Sequence, residues 1–266
     1  MASGDPQILN QLPDGWQIEY QPSATSSNDL AFACLKDNPG QAEGRCFRVG
    51  EQTKGRGRRG KQWVSRPGDG LYLSIVLCPK APRYTWPSLS FLASLGVYKA
   101  LLRHMDEQHH GACSLKWPND ILCHDRKLAG ILLESSDEGL VIGCGVNLNN
   151  APELGGIAHP PIAIDELVSE GVSDAEALAA TLVARIAELY TLWQSSGHQI
   201  ILDEWRRHCD MKGNPVRIQT VTEVIEGLCE GVGADGQLYV RRNDGEVVQI
   251  TAGDVEIMRG RNASGD

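Results

Sequence analysis

The chain has 266 residues, 41% hydrophobic and 22% charged, with a formal net charge of −9. That length supports one sizeable core and a small second unit, and the acidic balance argues against general binding to nucleic acid or anionic membranes. No apolar run approaches the roughly 18 residues of a membrane span, and Met1–Pro6 lacks the pattern of a signal peptide. Eight cysteines stand singly, at 34, 46, 78, 113, 123, 144, 209 and 229. None has metal-ligand spacing, and most lie in apolar runs, where free cysteine behaves as a small hydrophobe. A reduced, cytoplasmic protein is expected.

In chain order, Trp16–Tyr20 alternates like a strand. Thr25–Asp29 offers several N-cap residues before a short helix over Leu30–Leu35. Arg45–Gly50 reads as a strand, 51–70 as a basic loop closed by Pro67–Gly70 turn chemistry, and Leu71–Leu77 as a strand. Trp86 to Met105 has helical periodicity. Four short segments follow, Cys113–Lys116, Asp120–Cys123, Leu128–Leu133 and Leu140–Cys144. Their tight spacing predicts antiparallel neighbours rather than βαβ units. Residues 150–161 form a Pro/Gly-rich loop, Asp174 caps a long helix to Gln194, and Ile200–Cys209 is a second helix. From Lys212 the pattern changes to five short strands, 216–219, 223–230, 238–241, 247–251 and 255–258, with hairpins at Asp235–Gly236 and Asp244–Gly245. These predict a small SH3-like β-barrel.

Four stretches invite chemistry. Lys54–Trp63 holds three glycines, five basic residues and no acid. With Arg66, thirteen positions carry six of the 25 Lys+Arg, so the remainder of the chain sums to about −15. Glycines let backbone N–H groups approach an anion, and arginines supply forked donors that stay charged. The stretch reads as a mobile phosphate-gripping loop; a solvated basic surface loop is the alternative. Lys116–Asp120 is a turn in which Pro118 forbids a continuous strand. Lys127 opens an apolar strand, where it either snorkels to water or sets a point charge over a ligand anion. Gly143 and Gly145 mark close approach by a ligand or another backbone, with Asn147 at the strand end.

Taken together, Gly55–Gly60, Lys116–Asp120, Lys127–Leu132 and Gly145–Asn149 resemble, in order and spacing, the motifs of the biotin protein ligase family. The resemblance runs from about Trp16 to Arg259. It implies an α+β fold, with a mixed sheet and helices like the core of class II aminoacyl-tRNA synthetases and an SH3-like C-terminal domain. The implied division is 1–211 catalytic, 212–260 C-terminal, and 261–266 a disordered tail. It implies that biotin and ATP, with Mg²⁺, give biotinyl-5′-AMP and pyrophosphate, and that biotin then passes to a lysine of a biotin carboxyl carrier domain. A lipoate or octanoate ligase or transferase of the same superfamily is the alternative.

Carried over by motif, Arg58 and Lys127 are the catalytic candidates. Ser26, Ser27, Asn28, Gln52, Arg56, Gly57 and Gly130 join them on the biotin side; the family usually has threonine where Ser27 stands. Arg58, Arg59, Trp63, Lys116, Asn119, Asn147 and Arg259 are nucleotide-side candidates. Trp63 could instead pack the base of the loop, and the Ser26–Asn28 triplet could be an N-cap and nothing more. Some family members carry an N-terminal helix-turn-helix. Only 15 residues precede Trp16 here, so neither a DNA-binding domain nor a nucleic-acid partner is expected. A homodimer through a sheet edge is admitted, and no membrane association is expected.

Overall fold

Gly70–Leu77 (β3) is mostly apolar and nearly all buried, which fits a strand covered on both faces. In the computed structural model, which describes residues 12–154, 156–169 and 174–258, it lies near the centre of a seven-stranded sheet. The other strands are Gln17–Gln21 (β1), Arg45–Val49 (β2), Cys113–Lys116 (β4), Asp120–Cys123 (β5), Arg126–Ser135 (β6) and Leu140–Asn147 (β7). Their order is β1-β2-β3-β7-β6-β5-β4. Only β1 and β2 are parallel; the remaining neighbours are antiparallel. The succession of short strands therefore pairs as its spacing predicts. Arg259 and the expected tail, 261–266, lie outside the described residues, as do residues 1–11.

Helices cover the sheet. Ser27–Asp37 (α1) packs on β2 and β3. Leu89–Leu101 (α2) is buried almost all round, the pattern of a core helix. It starts later than its periodicity predicts, because Arg83–Ser88 is 3₁₀ and contains Pro87, which cannot donate to a helix. Ala175–Ser196 (α3) begins at Asp174, whose carboxylate accepts from the Glu176 and Ala177 amides, as the N-cap pattern predicts. α3 lies against α2 at Gly96, where a Cβ would meet Ile186 Cγ1 at 2.8 Å. Gln199–Arg207 (α4) is pinned by Trp205, whose indole N–H donates to Ser94 Oγ at 2.9 Å.

The C-terminal strands are Pro215–Gln219 (β8), Val224–Val232 (β9), Leu238–Arg241 (β10), Val247–Ile250 (β11) and Asp254–Ile257 (β12). They form a second, wholly antiparallel sheet ordered β11-β10-β9-β8-β12. Trp117 joins the two sheets. It is 1% exposed, its indole donates to Gly236 O at 2.9 Å, and its amide faces Met211 Sδ at 3.1 Å. Burying an indole removes roughly 150–250 Å² from water, about 4–6 kcal/mol as an upper bound. Much of what the Lys116–Asp120 turn does is therefore structural.

Candidate active site

Two walls and a loop enclose a cavity of about 320 Å³. The first wall is made by β5 and β6. The register between them shifts at Ile121/Leu122, and Asp120 stands opposite Gly130. Lys127 Nζ lies 2.6 Å from Asp120 Oδ1, and Lys116 Nζ lies 3.4 Å from Asp120 Oδ2. Burial alone would raise the Asp120 pKa, but the two ammonium groups hold it below the ordinary carboxylate value. Burial pushes Lys116 the other way, below an ordinary lysine, against the pull of Asp120. One buried carboxylate thus serves two cations, and only Lys127 of the two reaches the cavity.

The second wall is the start of α1. Ser26 caps the helix, its Oγ accepting from the Asn28 amide at 3.3 Å. Parallel pairing beyond β1 and β2 sets Ala24 beside Gln52, so Gln52 Oε1 accepts from the Ser27 amide at 2.9 Å. Ser74, fully buried on β3, bonds Ser27 Oγ at 2.7 Å and Asn28 Oδ1 at 2.5 Å. Asn28 Nδ2 donates to Glu134 at 2.6 Å. The cap reading and a pocket reading of this triplet are both satisfied, because Ser26 makes the cap while Ser27 and Asn28 line the cavity.

The basic loop forms a tight hairpin over both walls. Trp63 N donates to Gly55 O at 3.0 Å and Gly57 N to Lys61 O at 2.7 Å. Arg59 turns the chain at φ 55°. Arg56 pairs with Asp29 at 2.7 Å and Glu134 at 3.3 Å. Lys61 and Arg59 pair with Asp254 of β12 at 2.8 and 3.9 Å, and Arg59 also donates to Gln219 O at 2.6 Å. Arg58 differs from its neighbours. Among the described residues it has no ion pair; it touches Asn119 Oδ1 at 3.3 Å, and burial lowers its pKa. Beneath the loop, Trp63 lies on the glycines of β6 and β7. A Cβ on Gly145 would fall 2.5 Å from Trp63 Cε2, and one on Gly130 would fall 3.0 Å from its Cζ3. The close approach expected at Gly145 is thus made by a side chain of the loop, and that at Gly143 by Asn28, whose Oδ1 lies 2.5 Å from where a Cβ would stand. The Trp63 indole N–H is buried without a hydrogen-bond partner among the described residues.

Residues 23–147 match the Biotin/lipoate A/B protein ligase family profile, and 213–258 match that of the Biotin protein ligase C terminal domain. A biotin–[acetyl-CoA-carboxylase] ligase of Paracoccus denitrificans is 33% identical over 226 residues, covering 80% of this chain and 91% of that relative. The chain belongs to the biotin protein ligases. A bifunctional ligase/repressor BirA of Escherichia coli is 29% identical over 259 residues, 94% of this chain and 77% of its own. A biotin protein ligase from Aquifex aeolicus, solved in complex with biotin and ATP, superposes with a TM-score of 0.75 at 23% identity, covering 91% of this chain and 99% of that one. It shares the fold.

Of the candidates that this ligase sequence offers, twelve line the cavity: Ser26, Ser27, Asn28, Gln52, Arg56, Gly57, Arg58, Trp63, Asn119, Lys127, Gly130 and Asn147. Two do not. Lys116 is buried behind Asp120, and Arg59 is turned onto the C-terminal sheet. Asn147 spends its amide on the carbonyls of Lys127 and Ile162, at 3.0 and 3.1 Å, which ties β7 to the base of Lys127. Asn119 donates to Ile131 O and accepts from Arg58. Sequence reasoning missed Asp120, Asp254, Glu134 and Ser74. Asp120 stood inside a noted motif; Asp254 and Ser74 carry no local signal. The apolar lining includes Val64, Ile131, Leu154, Ile157 and Pro161.

Proposed function

We propose that this cavity condenses biotin with ATP to biotinyl-5′-AMP and then passes biotin to the ε-amine of a lysine on a biotin carboxyl carrier domain. The observation that carries this reading is the half-buried Arg58 guanidinium, which faces the cavity and among the described residues contacts an amide oxygen but no carboxylate, while the surrounding cations hold carboxylates. A desolvated cation without a counter-ion is suited to an anion that arrives with the substrate.

In the first step the biotin carboxylate attacks the α-phosphorus and pyrophosphate leaves. Two anions must be brought together, so positioning and electrostatic stabilisation do most of the work. Lys127 bridges the biotin carboxylate and the α-phosphate, and Asp120 holds its ammonium in place. Arg58, with the Arg56–Gly57 backbone, closes over the mixed anhydride. Ser27, Asn28 and Gln52 read the ureido group, while Ile131 and Leu154 wall the rings. Lys116 acts behind Asp120 as a positioning charge. Arg59 acts on the nucleotide side through the loop, Trp63 lends its free indole N–H there, and Asn119 and Asn147 set the walls. Arg259 completes the nucleotide side. In the second step the carrier amine attacks the acyl carbon and AMP leaves. Asp120, with both oxygens engaged and its pKa depressed, serves the lysines rather than accepting the amine's proton.

Mg²⁺ would enter with ATP and neutralise phosphate charge; a hard cation of this kind takes oxygen ligands. The reading divides the chain into a synthetase-like catalytic unit, 1–211, and an SH3-like unit, 212–260. Eight free cysteines support a cytoplasmic, reducing setting, and no helix among the described residues is long and apolar enough to cross a membrane. The net charge of −9 supports no nucleic-acid role; specific retardation of an operator fragment in a gel shift would overturn that. The β1 edge is the surface we assign to a carrier domain or second copy.

Incubation with MgATP and radiolabelled biotin or lipoate decides the substrate by which adenylate forms. Mass spectrometry of a carrier domain after incubation should then find one biotinylated lysine. Lipoyl-adenylate without biotinyl-adenylate would reject the reading in favour of its lipoate alternative.

A further inference from the structure

β4 and β5 carry Cys113 and Cys123 at directly opposed positions. Opposed residues of an antiparallel pair have Cα atoms about 4.5–5.5 Å apart, within the span of a disulfide. The sulfurs lie 2.7 Å apart, with Cys113 the donor. Six other cysteines are described, and none has a second thiol at this distance. Cys113 also lines a second cleft of about 550 Å³, with Ser114, His124, His208 and Cys209. That cleft shares no lining residue with the candidate active site, and it gives a water-sized reagent a way to Cys113, with Cys123 fully buried behind it.

We propose that Cys113 and Cys123 form a reversible, peroxide-driven disulfide that braces the β4–β5 hairpin. The cleft reaches the Cys113 sulfur, and Cys123 stands behind it as the hydrogen-bond acceptor. The Cys113 hydrogen bond and the His124 amide pull the Cys123 thiol down, so the pair loses its first proton from Cys123; the Cys113 proton then crosses the hydrogen bond to Cys123 and leaves Cys113 as the thiolate, the reactive form. Cys113 attacks one oxygen of hydrogen peroxide; the O–O bond breaks, leaving Cys113 sulfenic acid and hydroxide, which takes up a proton. Cys123 sulfur then attacks the sulfenic sulfur. The S–O bond breaks, the S–S bond forms, and water leaves with the Cys123 proton. Two thiols are oxidised by two electrons and one peroxide is reduced to two waters.

The hairpin links this chemistry to the site. Its open end is the Cys113–Cys123 pair and its closed end the Lys116–Asp120 pair, three positions along the same ladder. A covalent tie at one end narrows the twist available at the other. Asp120, itself paired with Lys116, holds Lys127, so the tie should alter handling of ATP.

The test uses the full chain. After brief exposure to hydrogen peroxide, free thiols are blocked and the protein is digested with trypsin without reduction. Cleavage at Lys116 separates the two cysteines, so the bond appears as peptide 104–116 joined to peptide 117–126, with two of eight thiols lost and both restored by dithiothreitol. Cys113→Ser should remove the linked species. Eight blocked thiols, a Cys113–Cys209 link, or irreversible oxidation of Cys113 would overturn the proposal, and the wild-type map needs no variant to fold. The link to the site rests on the ligase reading and is measured separately: oxidation should shift KM for ATP about twofold or more, reversibly. A linked peptide with KM unchanged overturns the coupling, and absence of any adenylation indicts the ligase reading instead.

Discussion

Lys127 and Arg58 line one cavity, and they are held by different means. Lys127 rises from β6, inside a seven-stranded sheet, and its counter-ion Asp120 is itself tied to a buried lysine. Moving it means disturbing strands whose apolar residues are almost wholly buried. Arg58 rides on a loop pinned by Arg56–Asp29, Arg56–Glu134 and Lys61–Asp254, all between partly or well exposed side chains. Exposed ion pairs contribute about 0–1 kcal/mol each, so the loop can open at little cost while the sheet wall stays put. A fixed wall positions a reaction; a releasable one admits substrate, shields the anhydride from water and frees the acyl carbon for the carrier.

The sharpest break in this contrast comes on the fixed side. Lys127→Ala should lower kcat/KM for adenylate formation about 10²–10³-fold, the scale for removing one preorganised charge donor. Pyrophosphate release measures it, and an intact rate would remove Lys127 from the reaction. On the releasable side, Arg58→Gly should spare much of adenylate formation but loosen its retention about tenfold. Pulse-chase with labelled biotin reads the retention; a wild-type half-life in the variant would reject the loop as the lid.

The same comparison has a pH axis. Asp120 has a folded pKa below its unfolded one, so it adds stability at pH above the ordinary carboxylate value, about 3.9. That stability is lost as pH falls through the depressed folded pKa. Asp120→Asn should be less stable at neutral pH, since it strands a buried Lys116, yet should lose less on acidification below about pH 4. Thermal melts across pH 3–6 check this; parallel curves for the two proteins would show that Asp120 is not so perturbed.

The two regions were not equally legible in the sequence. The sheet wall was: alternation and short spacing give β4 to β7, and Lys127 opens an apolar strand whose neighbours fix its place. Loop and glycine chemistry marked Lys54 to Trp63 as an anion grip, with a solvated basic loop as the alternative. What pins that loop was hidden, because Asp29, Glu134 and Asp254 come from a helix, a strand end and the other sheet, 27, 78 and about 200 residues away. Sequence patterns report local periodicity, and ion pairs of that separation leave none. Ser74 was invisible for a related reason, a small polar residue in an apolar strand. Trp63 stayed undecided until the glycines at 130 and 145 had a neighbour. Lys116 lies outside the cavity lining, and a motif lysine and a cavity lysine look alike in sequence until burial separates them.

The smallest effect tests the releasable wall most directly. Asp254 is one-third exposed and meets both Lys61 and Arg59, so its ion pairs should stabilise the closed loop by about 1 kcal/mol at most. That is roughly a fivefold shift between open and closed, because 1.4 kcal/mol is a factor of ten. Asp254→Ala should therefore raise KM for ATP and biotin about two- to fivefold and leave kcat nearly unchanged. The difference from wild type should shrink in high salt, where exposed pairs are screened. A pairing of Asp254→Lys with Lys61→Glu should recover only part of the loss, since the exchange restores the contact at 61 but leaves a cation facing Arg59. A hundredfold loss, or one indifferent to salt, would mean that the C-terminal sheet does more than pin the loop and that Asp254 belongs to the fixed wall.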